Sequence, residues 1–313
     1  MSAWKILLTD GLEEKGKHIL HSAGEVDDRS GISSEDLLKV VGDYDALIVR
    51  GRTKVNASVL TAGTKLKVVG RSGVGVDNID LKAASERNIT VVNAPTATTV
   101  AVAELTMGLL LALVREIPRA DASMKEGKWL KKEFEGKELF GKTLGVLGFG
   151  RIGGSVARRA VAFDMKIITY DTRFTEEKVR IRGGQMVSLE ELYTRSDFIT
   201  IHVPYMESTH HMINAASIEK MKKGVYIICA ARGGIIDEEA LLAGLNSGKI
   251  AGVGLDVYET EPAPLSPLIS HPKVIAVPHI GAQTVEAQQR AAHDIATEVI
   301  AALEGKTLRW KVA

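Results

Sequence analysis

The chain has 313 residues, of which 45% are hydrophobic and 25% are charged, a size and composition that suit two globular domains. Because 40 basic residues nearly balance 39 acidic ones, the net charge of +1 gives no sign of a nucleic-acid or membrane-surface partner. The longest apolar stretch, Leu105 to Val114, is too short to span a bilayer, and the N-terminus lacks the pattern of a signal peptide. Cys229 is the single cysteine, so we expect no intrachain disulfide and a reducing, cytoplasmic location.

Short apolar runs alternate with helix-like segments along the whole chain. KILLTD, DALIVR, KVVGRSG and ITVVNAP come first, and a helix-like stretch from Val100 to Glu126 follows. The runs resume as TLGVLG, KIITYD, DFITIHVP, VYIICAARGG, IAGVGLDV and KVIAVPHIG, before a closing helix predicted from Thr284 to Leu303 that could return to either unit. Such runs are typical of parallel strands covered by helices on both faces. The sequence therefore predicts an α/β protein, with one smaller unit before a second that begins near residue 143.

The stretch GVLGFGRIGG contains a glycine pattern between a predicted strand and a predicted helix. Gly148, Gly150 and Gly153 have the G-x-G-x-x-G spacing, in which the turn and the helix N-terminus receive a pyrophosphate. Asp171 ends the next strand, roughly 20 residues further on, where the motif places the acceptor for ribose hydroxyls. The pattern predicts a dinucleotide site that prefers NAD. Arg173 could bind the 2′-phosphate of NADP, so NADP stays open as an alternative cofactor.

Polar side chains follow three later strands. Arg232 follows VYIICAA, Asp256 and Glu261 follow IAGVGL, and His279 follows KVIAVP. Ligands of open parallel sheets lie at the carboxyl ends of the strands, so we expect these side chains to form an active site.

The chemistry of hydride transfer from a hydroxyl carbon suits these residue types. His279 is the natural acceptor of the hydroxyl proton, and Glu261 would orient it and favour its charged form. Arg232 would hold a substrate carboxylate through two parallel hydrogen bonds. The histidines lack metal-ligand spacing, so no metal is predicted. His202 is expected to border the cofactor.

The motifs GVLGFGRIG, ARGGIIDEEAL, GVGLDVYETEP and VPHIGAQT together resemble the D-isomer-specific 2-hydroxyacid dehydrogenase family over nearly the whole chain. The resemblance implies that Arg232, Glu261 and His279 are the catalytic set. It also implies two Rossmann-like doubly wound domains with parallel sheets, in which an NAD-binding domain (98–282) is inserted into a discontinuous substrate-binding domain (1–97 and 283–313), and a homodimer that forms through the cofactor domains. The residues predicted to contact NAD are Gly148, Gly150, Arg151, Ile152, Gly153, Asp171, Val203, Pro204, Ala230, Ala231, Asp256 and Gly281.

The N-terminal half is most similar to the phosphoglycerate dehydrogenase branch of that family, notably in ALIVRGRTKV and GRSGVGVDNIDL. A site that binds a phosphorylated acid needs positively charged side chains to contact the phosphate. Arg50 and Arg52 match phosphate-contacting positions in that branch. The loop that starts at Arg71 matches the carboxylate-binding loop, so the predicted substrate contacts are Arg50, Arg52, Arg71, Ser72, Gly73 and Val74. The resemblance thus implies NAD-dependent oxidation of a phosphorylated 2-hydroxy acid.

Two alternatives remain open at the level of the sequence. The protein could instead be a reductase of glyoxylate or hydroxypyruvate, and Arg50 and Arg52 would then have no phosphate to bind. It could also be an NAD-sensing corepressor, which would keep the fold and the catalytic set but would not turn over a substrate. Because the chain ends at Ala313, we expect no C-terminal regulatory domain of the kind that longer phosphoglycerate dehydrogenases carry.

Overall fold

The computed structural model describes residues 4–313, which form two compact units. The first unit extends to Thr98 and resumes from Ala282 to Ala313, and the second is the intervening segment Thr99–Gly281. Each unit is built on a parallel sheet, five-stranded in the first and seven-stranded in the second, which confirms the predicted fold class.

The strands alternate with helices in the order that the apolar runs predicted. The strands are β1 Trp4–Leu8, β2 Gly24–Asp28, β3 Ala46–Val49, β4 Val68–Arg71, β5 Thr90–Asn93, β6 Thr143–Leu147, β7 Lys166–Tyr170, β8 Gly184–Met186, β9 Phe198–Ile201, β10 Val225–Cys229, β11 Ile250–Leu255 and β12 Val274–Ala276. The helices are α1 Glu14–His21, α2 Ser34–Val40, α3 Ala57–Ala62, α4 Leu81–Glu86, α5 Thr99–Val114, α6 Ile117–Lys125, α7 Arg151–Val161, α8 Glu176–Ile181, α9 Leu189–Arg195, α10 Ala215–Lys220, α11 Glu238–Asn246 and α12 Val285–Leu303. Short 3₁₀ turns lie at Val41–Asp43, Lys131–Glu133 and Glu207–Thr209.

The first sheet has the strand order β2-β1-β3-β4-β5. Successive residues of a strand face opposite sides, so Leu7 lies in one core while Ile6 and Leu8 lie in the other. The closing helix α12 belongs to this unit, because Ile295 and Val299 fill the second core. Both faces of the sheet are therefore buried by helices, as the continuous apolar runs require.

The second sheet has the order β12-β11-β10-β9-β6-β7-β8. Its five inner strands are largely buried, and two separate apolar clusters cover its faces. The chain starts in the middle of the sheet with β6 and then builds outwards, first to β7 and β8 and later to β9. The strand order thus reverses between β6 and β9, which makes a crevice at their carboxyl ends.

Two features of the sequence-based description were wrong. The predicted continuous helix from Val100 to Glu126 is two helices, α5 and α6, because Glu116 has a left-handed backbone conformation (φ 49°) and Pro118 lies in the first turn of α6. The strands β2 and β8 were missed because both are edge strands without an apolar run. Among residues 4–313, no helix is both long and apolar enough to cross a membrane.

Candidate active site

The three catalytic candidates follow adjacent strands of the second sheet. Arg232 lies just after β10, Glu261 in the loop after β11, and His279 just after β12. Since β10, β11 and β12 are parallel neighbours, their carboxyl ends share one edge. The second unit therefore brings these loops together, as the strand-end pattern predicted.

His279 and Glu261 form a direct pair. The imidazole Nδ1 lies 2.7 Å from Oε2 of Glu261, and the other carboxylate oxygen accepts a hydrogen bond of 3.2 Å from the Tyr258 N–H. The side chains are 47% and 35% exposed, so the pair is accessible to a small molecule. With Nδ1 facing the carboxylate, Nε2 is the nitrogen left to exchange a proton with substrate.

The environment of Glu261 favours its carboxylate form. Burial alone would raise the pKa of Glu261, but the hydrogen bond and charge of His279, the Tyr258 N–H and the Arg232 guanidinium hold that pKa below its usual value. Glu261 is therefore a negative charge beside the imidazole, which stabilises the protonated imidazole that forms when His279 accepts a proton.

Asp256 holds the turn that carries His279. Its side chain is 1% exposed, and its two oxygens accept hydrogen bonds from the N–H groups of Ile280 at 2.6 Å and Gly281 at 2.8 Å. Burial raises the pKa of Asp256, while those two N–H groups oppose the rise. A Cβ at Gly281 would lie 2.8 Å from Oδ2, so a glycine is needed there. His279 itself has a left-handed backbone (φ 51°), and this buried carboxylate fixes the turn around it.

Further contacts join the three loops, and sequence reasoning missed them. The Tyr258 hydroxyl donates a hydrogen bond of 3.0 Å to the Val277 carbonyl, which ties the β11 loop to the end of β12. A Cβ at Gly233 would lie 1.7 Å from the Tyr258 carbonyl oxygen, so the segment after Arg232 packs directly on the β11 loop. The glycine pair in ARGG was the available signal for this close approach.

The glycine turn between β6 and α7 is shaped by two of its three glycines. Gly148 has φ +88°, and a Cβ there would lie 2.8 Å from the His202 carbonyl oxygen. A Cβ at Gly153 would lie 2.0 Å from the Gly148 carbonyl oxygen. A Cβ at Gly150, by contrast, would meet nothing within 4 Å, although Gly150 immediately precedes α7. The chain itself does not require a glycine at 150, whereas a pyrophosphate at the helix N-terminus would.

Asp171 follows β7 and is attached to the same turn. One carboxylate oxygen accepts a hydrogen bond of 2.7 Å from the Phe149 N–H, and the other accepts one of 2.8 Å from the Arg173 N–H. Asp171 therefore lies beside the glycine turn at the carboxyl edge, where the motif places the acceptor for ribose hydroxyls.

His202 lies across the crevice from the glycine turn, directly after β9. Its Nε2 is 2.8 Å from Thr200 Oγ1, while its Nδ1 is buried with no hydrogen-bond partner among the described residues. Burial lowers the pKa of His202 to about 3, so the imidazole is neutral. Buried polar atoms normally have a partner, and an unpaired one in this crevice is suited to a bound dinucleotide or its water.

These observations test whether the residues fit a nicotinamide dinucleotide. The turn has open space at Gly150, an acid stands at the ribose position, and the crevice contains an unpaired polar nitrogen. Val203 lies against Gly148, and Ala230 and Ala231 follow the neighbouring strand β10. The remaining residues predicted to contact NAD belong to the same edge and are Arg151, Ile152, Pro204 and Gly281. The arrangement fits the cofactor.

The predicted substrate-binding residues lie at the carboxyl edge of the first sheet. Arg50 and Arg52 follow β3, Arg71 ends β4, and Ser72 to Val74 come next. Gly73 has φ +144°, and a Cβ there would collide with the Arg71 guanidinium, so Gly73 lets that side chain lie across the loop. These residues thus occupy neighbouring loops within the first unit.

The neighbouring histidines His210 and His211 lie in different surroundings. The rings of His210 and His211 stack with centroids 3.9 Å apart, and His210 is exposed. His211 is only partly exposed and its Nε2 lies 3.0 Å from Glu259 Oε1, so it is held in an ion-pair geometry rather than free in solvent.

Comparison with known proteins identifies the family of the chain. Residues 107–281 match the model of the D-isomer specific 2-hydroxyacid dehydrogenase, NAD binding domain. The chain belongs to this family. The family's cofactor is NAD, and the matched segment contains the glycine turn, Asp171 and all three catalytic candidates.

Relatives within this 2-hydroxyacid dehydrogenase family carry different names. The D-3-phosphoglycerate dehydrogenase of Methanocaldococcus jannaschii is 50% identical over 303 residues, which are 96% of this chain but 58% of that relative. The hydroxypyruvate reductase of Thermotoga maritima is 46% identical over 303 residues, which are 96% of this chain and 98% of that relative. The solved structure of a glyoxylate reductase from Paecilomyes thermophila superposes with a TM-score of 0.92 at 32% identity, covering 100% of this chain and 99% of that one. The chain thus spans little more than half the length of its phosphoglycerate dehydrogenase relatives.

Proposed function

We propose that the protein catalyses NAD-dependent oxidation of D-3-phosphoglycerate to 3-phosphohydroxypyruvate, the first step of serine biosynthesis. The observation that carries the reaction type is the contact of 2.7 Å between His279 Nδ1 and Glu261 Oε2, close enough to Arg232 for its charge to lower the Glu261 pKa. A proton acceptor, its orienting carboxylate and a carboxylate-binding cation are the groups that oxidation of a 2-hydroxy acid needs.

The proposed roles follow from the chemistry of each side chain. His279 accepts the hydroxyl proton through Nε2, and Glu261 stabilises the imidazolium that results. Arg232 binds the substrate carboxylate and polarises the neighbouring oxygen, on which negative charge builds up as the proton leaves. NAD, when bound at the glycine turn, supplies the acceptor for the hydride that leaves the same carbon. One proton and one hydride leave the alcohol, which becomes the ketone.

The choice of a phosphorylated substrate is supported by two observations. A relative named D-3-phosphoglycerate dehydrogenase is 50% identical over almost the whole chain, and the first unit places Arg50 and Arg52 directly after β3. The second candidate is reduction of hydroxypyruvate, because a relative of that name matches at 46% over its full length. An NAD-sensing corepressor is the least supported reading, because nothing specific in the site favours it.

We further propose a homodimer in the cytoplasm. In the segment from Ile117 to Phe140 of the second unit, four large apolar side chains are more than half exposed: Ile117 (53%), Met124 (55%), Trp129 (78%) and Phe140 (70%). Apolar side chains exposed on one segment suit an interface between copies of the chain. Sedimentation equilibrium tests this directly, because Trp129→Ser combined with Phe140→Ser should produce monomers.

The experiment that tests the function measures initial rates on a substrate panel. It pairs 3-phosphoglycerate with 3-phosphohydroxypyruvate, and adds D-glycerate, hydroxypyruvate, glyoxylate, lactate and pyruvate, with NAD or NADH as required. A higher kcat/KM for the phosphorylated pair supports the proposal, and a preference for hydroxypyruvate or glyoxylate supports the reductase. His279→Ala should lower kcat by about 100-fold or more in every case while NADH binding persists.

A further inference from the structure

Residues 309–313 lie along the outer edge of β5, the last strand of the first sheet. They run antiparallel to the strand. The N–H of Val312 donates to the Val91 carbonyl at 2.8 Å, and the N–H of Val91 donates to the Ala313 carbonyl at 3.0 Å. A strand at the edge of a sheet has unpaired N–H and C=O groups, and here a segment of the same chain binds them. The backbone of β5 is therefore held on both sides, by β4 and by this segment.

A buried carboxylate fixes this C-terminal segment. Glu298 of α12 is only 3% exposed, and its Oε2 accepts hydrogen bonds from the N–H groups of Arg309 at 2.9 Å and Trp310 at 3.0 Å. Hydrogen bonds to a charged acceptor are stronger than those between neutral groups. The Trp310 carbonyl in turn accepts a hydrogen bond of 3.2 Å from the N–H of Asn93, the last residue of β5. The backbone of Asn93 is thus held in place by the first unit itself.

The side chain of Asn93 reaches the loop that follows β4. Its Nδ2 donates a hydrogen bond of 2.6 Å to the Val74 carbonyl, and the N–H of Ala94 donates one of 2.9 Å to the Gly73 carbonyl. Two successive carbonyls of the loop are therefore held from the end of β5. This loop is the one that the family resemblance predicts to bind the substrate carboxylate, and Asn93 is not among the residues that the sequence assigned to the site.

The loop needs support from outside because it contains two glycines. Gly73 and Gly75 flank Val74, and a glycine leaves the backbone on either side of it free to adopt many conformations. Gly73 has φ +144°, a conformation that residues with a side chain rarely adopt. Hydrogen bonds to the Gly73 and Val74 carbonyls select one conformation from the many that this sequence allows.

The two held carbonyls also set the direction of the N–H groups that follow them. These peptide units are trans, and the C=O and N–H of a trans unit point in opposite directions. The N–H groups of Val74 and Gly75 therefore point away from the end of β5. Both residues are partly exposed, and neither N–H has a hydrogen-bond acceptor among residues 4–313. Adjacent N–H groups without an internal partner are suited to the oxygens of an anion.

We propose that Asn93 is a positioning residue for the substrate carboxylate. It acts through the Val74 carbonyl and contacts no substrate atom itself, and the C-terminal segment keeps it in place through the Trp310 carbonyl. The proposal rests on the proposed oxidation of a 2-hydroxy acid but not on the phosphate of that acid. Every 2-hydroxy acid has the same carboxylate, so the loss of Asn93 should weaken the binding of all of them by a common factor.

The test compares Asn93→Ala, Asn93→Asp and Asn93→Gln with wild type. We would measure kcat and KM for 3-phosphoglycerate and D-glycerate, and the Kd for NADH. Asn93→Asp keeps the shape of the side chain but places a carboxylate oxygen opposite the Val74 carbonyl. The Ala and Asp variants should raise both KM values by about 5- to 20-fold, the range of a lost hydrogen bond, with kcat within about 3-fold of wild type. Asn93→Gln retains an amide donor and should recover part of the loss.

Asn56→Ala is the matched control for stability. The Asn56 side chain also holds a backbone group of the first unit, because it accepts a hydrogen bond of 3.1 Å from the Val59 N–H at the start of α3. Its loss should lower Tm by a few degrees, as the loss of Asn93 should, but without a change in either KM. The Kd for NADH should stay within about 3-fold of wild type in all four variants, because the predicted NAD contacts lie in the second unit.

Three results would overturn the assignment: both KM values unchanged in Asn93→Asp, a rise in KM for only one of the two acids, or losses of kcat and NADH affinity as large as the rise in KM. The first would make Asn93 a structural residue like Asn56, and the third would indicate general damage. Failure of the proposed function looks different, since wild type would then prefer hydroxypyruvate or glyoxylate. The same variants would then be compared on the preferred acid, whose carboxylate needs the same loop.

Discussion

His279 Nδ1 lies 2.7 Å from Glu261 Oε2, although the two residues follow different strands. Three features hold them at this distance: the adjacency of β11 and β12, the Tyr258 hydroxyl on the Val277 carbonyl, and the Asp256 carboxylate beneath the His279 turn. The pair is thus fixed by the second unit alone, before any ligand binds, which is the preorganisation that acid–base catalysis requires.

Replacing Glu261 by Gln should lower kcat by about 100-fold while the Kd for NADH stays within about 3-fold, because the variant loses a charge that stabilises the imidazolium but leaves the glycine turn intact. Glu261→Asp should recover part of the loss. Stopped-flow rates and NADH fluorescence titration measure the two quantities. Equal losses of kcat and NADH affinity would show a general collapse of the site instead.

The same carboxylate predicts the pH dependence of stability. The pKa of Glu261 in the folded protein lies below its usual value of 4.5. The stability that the Glu261 carboxylate adds to the fold is therefore fully present above pH 4.5, and it is lost as the pH falls through the lower pKa of the folded state. Glu261 therefore remains ionised at neutral pH, and its protonation does not explain any loss of activity between about pH 8 and pH 6.

Asp256→Asn should lower kcat by about 10-fold with little change in the Kd for NADH. Asparagine has one oxygen acceptor, so either the Ile280 or the Gly281 N–H would face an amide N–H₂ group, and the His279 turn would shift. The kinetic split between kcat and NADH affinity separates this positioning role from direct cofactor contact. A large loss of NADH affinity with normal kcat would favour the cofactor-lining role that the family resemblance implied.

The sequence was enough to group the three catalytic candidates, because each of them follows the end of a strand. Parallel strands place their carboxyl ends together, so Arg232, Glu261 and His279 could be grouped from strand pattern alone. The supporting contacts could not be predicted, because they depend on which atoms of neighbouring loops come close to each other in the folded chain. Tyr258 and Asp256 act through the Val277 carbonyl and the Ile280 N–H, and backbone atoms carry no residue-specific signal.

The first unit shows the limit of pattern reasoning more clearly. Arg50 and Arg52 are two residues apart in one loop and match the same kind of family position. Only the three-dimensional arrangement shows that a buried Asp10 neutralises one of them and that two glutamines from near the start of α12 contact the other. The partners are more than 200 residues apart along the chain for Arg50, so local sequence could not distinguish the two side chains.

The glycine turn offers a test of cofactor binding that is separate from stability. Gly150→Ala should leave Tm nearly unchanged, because the added Cβ meets no atom within 4 Å and the backbone φ of −64° is ordinary. It should nevertheless weaken NADH binding by about 10-fold or more, since a methyl group would occupy the space where the backbone approaches the pyrophosphate. Gly153→Ala is the matched control: its Cβ would lie 2.0 Å from the Gly148 carbonyl oxygen, so it should lower Tm markedly. If Gly150→Ala binds NADH normally, the turn does not hold the pyrophosphate.

His202 predicts a dependence of stability on pH that differs from that of Glu261. Burial lowers its folded pKa to about 3 from the ordinary value of 6.5, so the unfolded chain binds a proton at this residue more readily than the folded chain does. The sign follows directly: the neutral ring stabilises the fold above the unfolded value, and this stability is lost as the pH falls from about 6.5 toward 3. Between about pH 7.5 and pH 5 the second unit should lose up to about 2 kcal/mol, less to the extent that the partly exposed ring admits water.

Urea unfolding of wild type and His202→Gln at those two pH values measures this effect. The variant retains a polar side chain but has no group that titrates in this range. The fall in its free energy of unfolding from about pH 7.5 to pH 5 should therefore be smaller than that of wild type by about 2 kcal/mol. His210→Gln is the control, because that ring is exposed and its replacement should leave the wild-type pH dependence intact. NADH should reduce the acid sensitivity of wild type if the dinucleotide brings to the buried Nδ1 a partner that accepts a hydrogen bond from it, because such a partner favours the protonated ring. An unchanged pH slope in His202→Gln would mean that the imidazole is solvated and that the crevice between β6 and β9 is open to water.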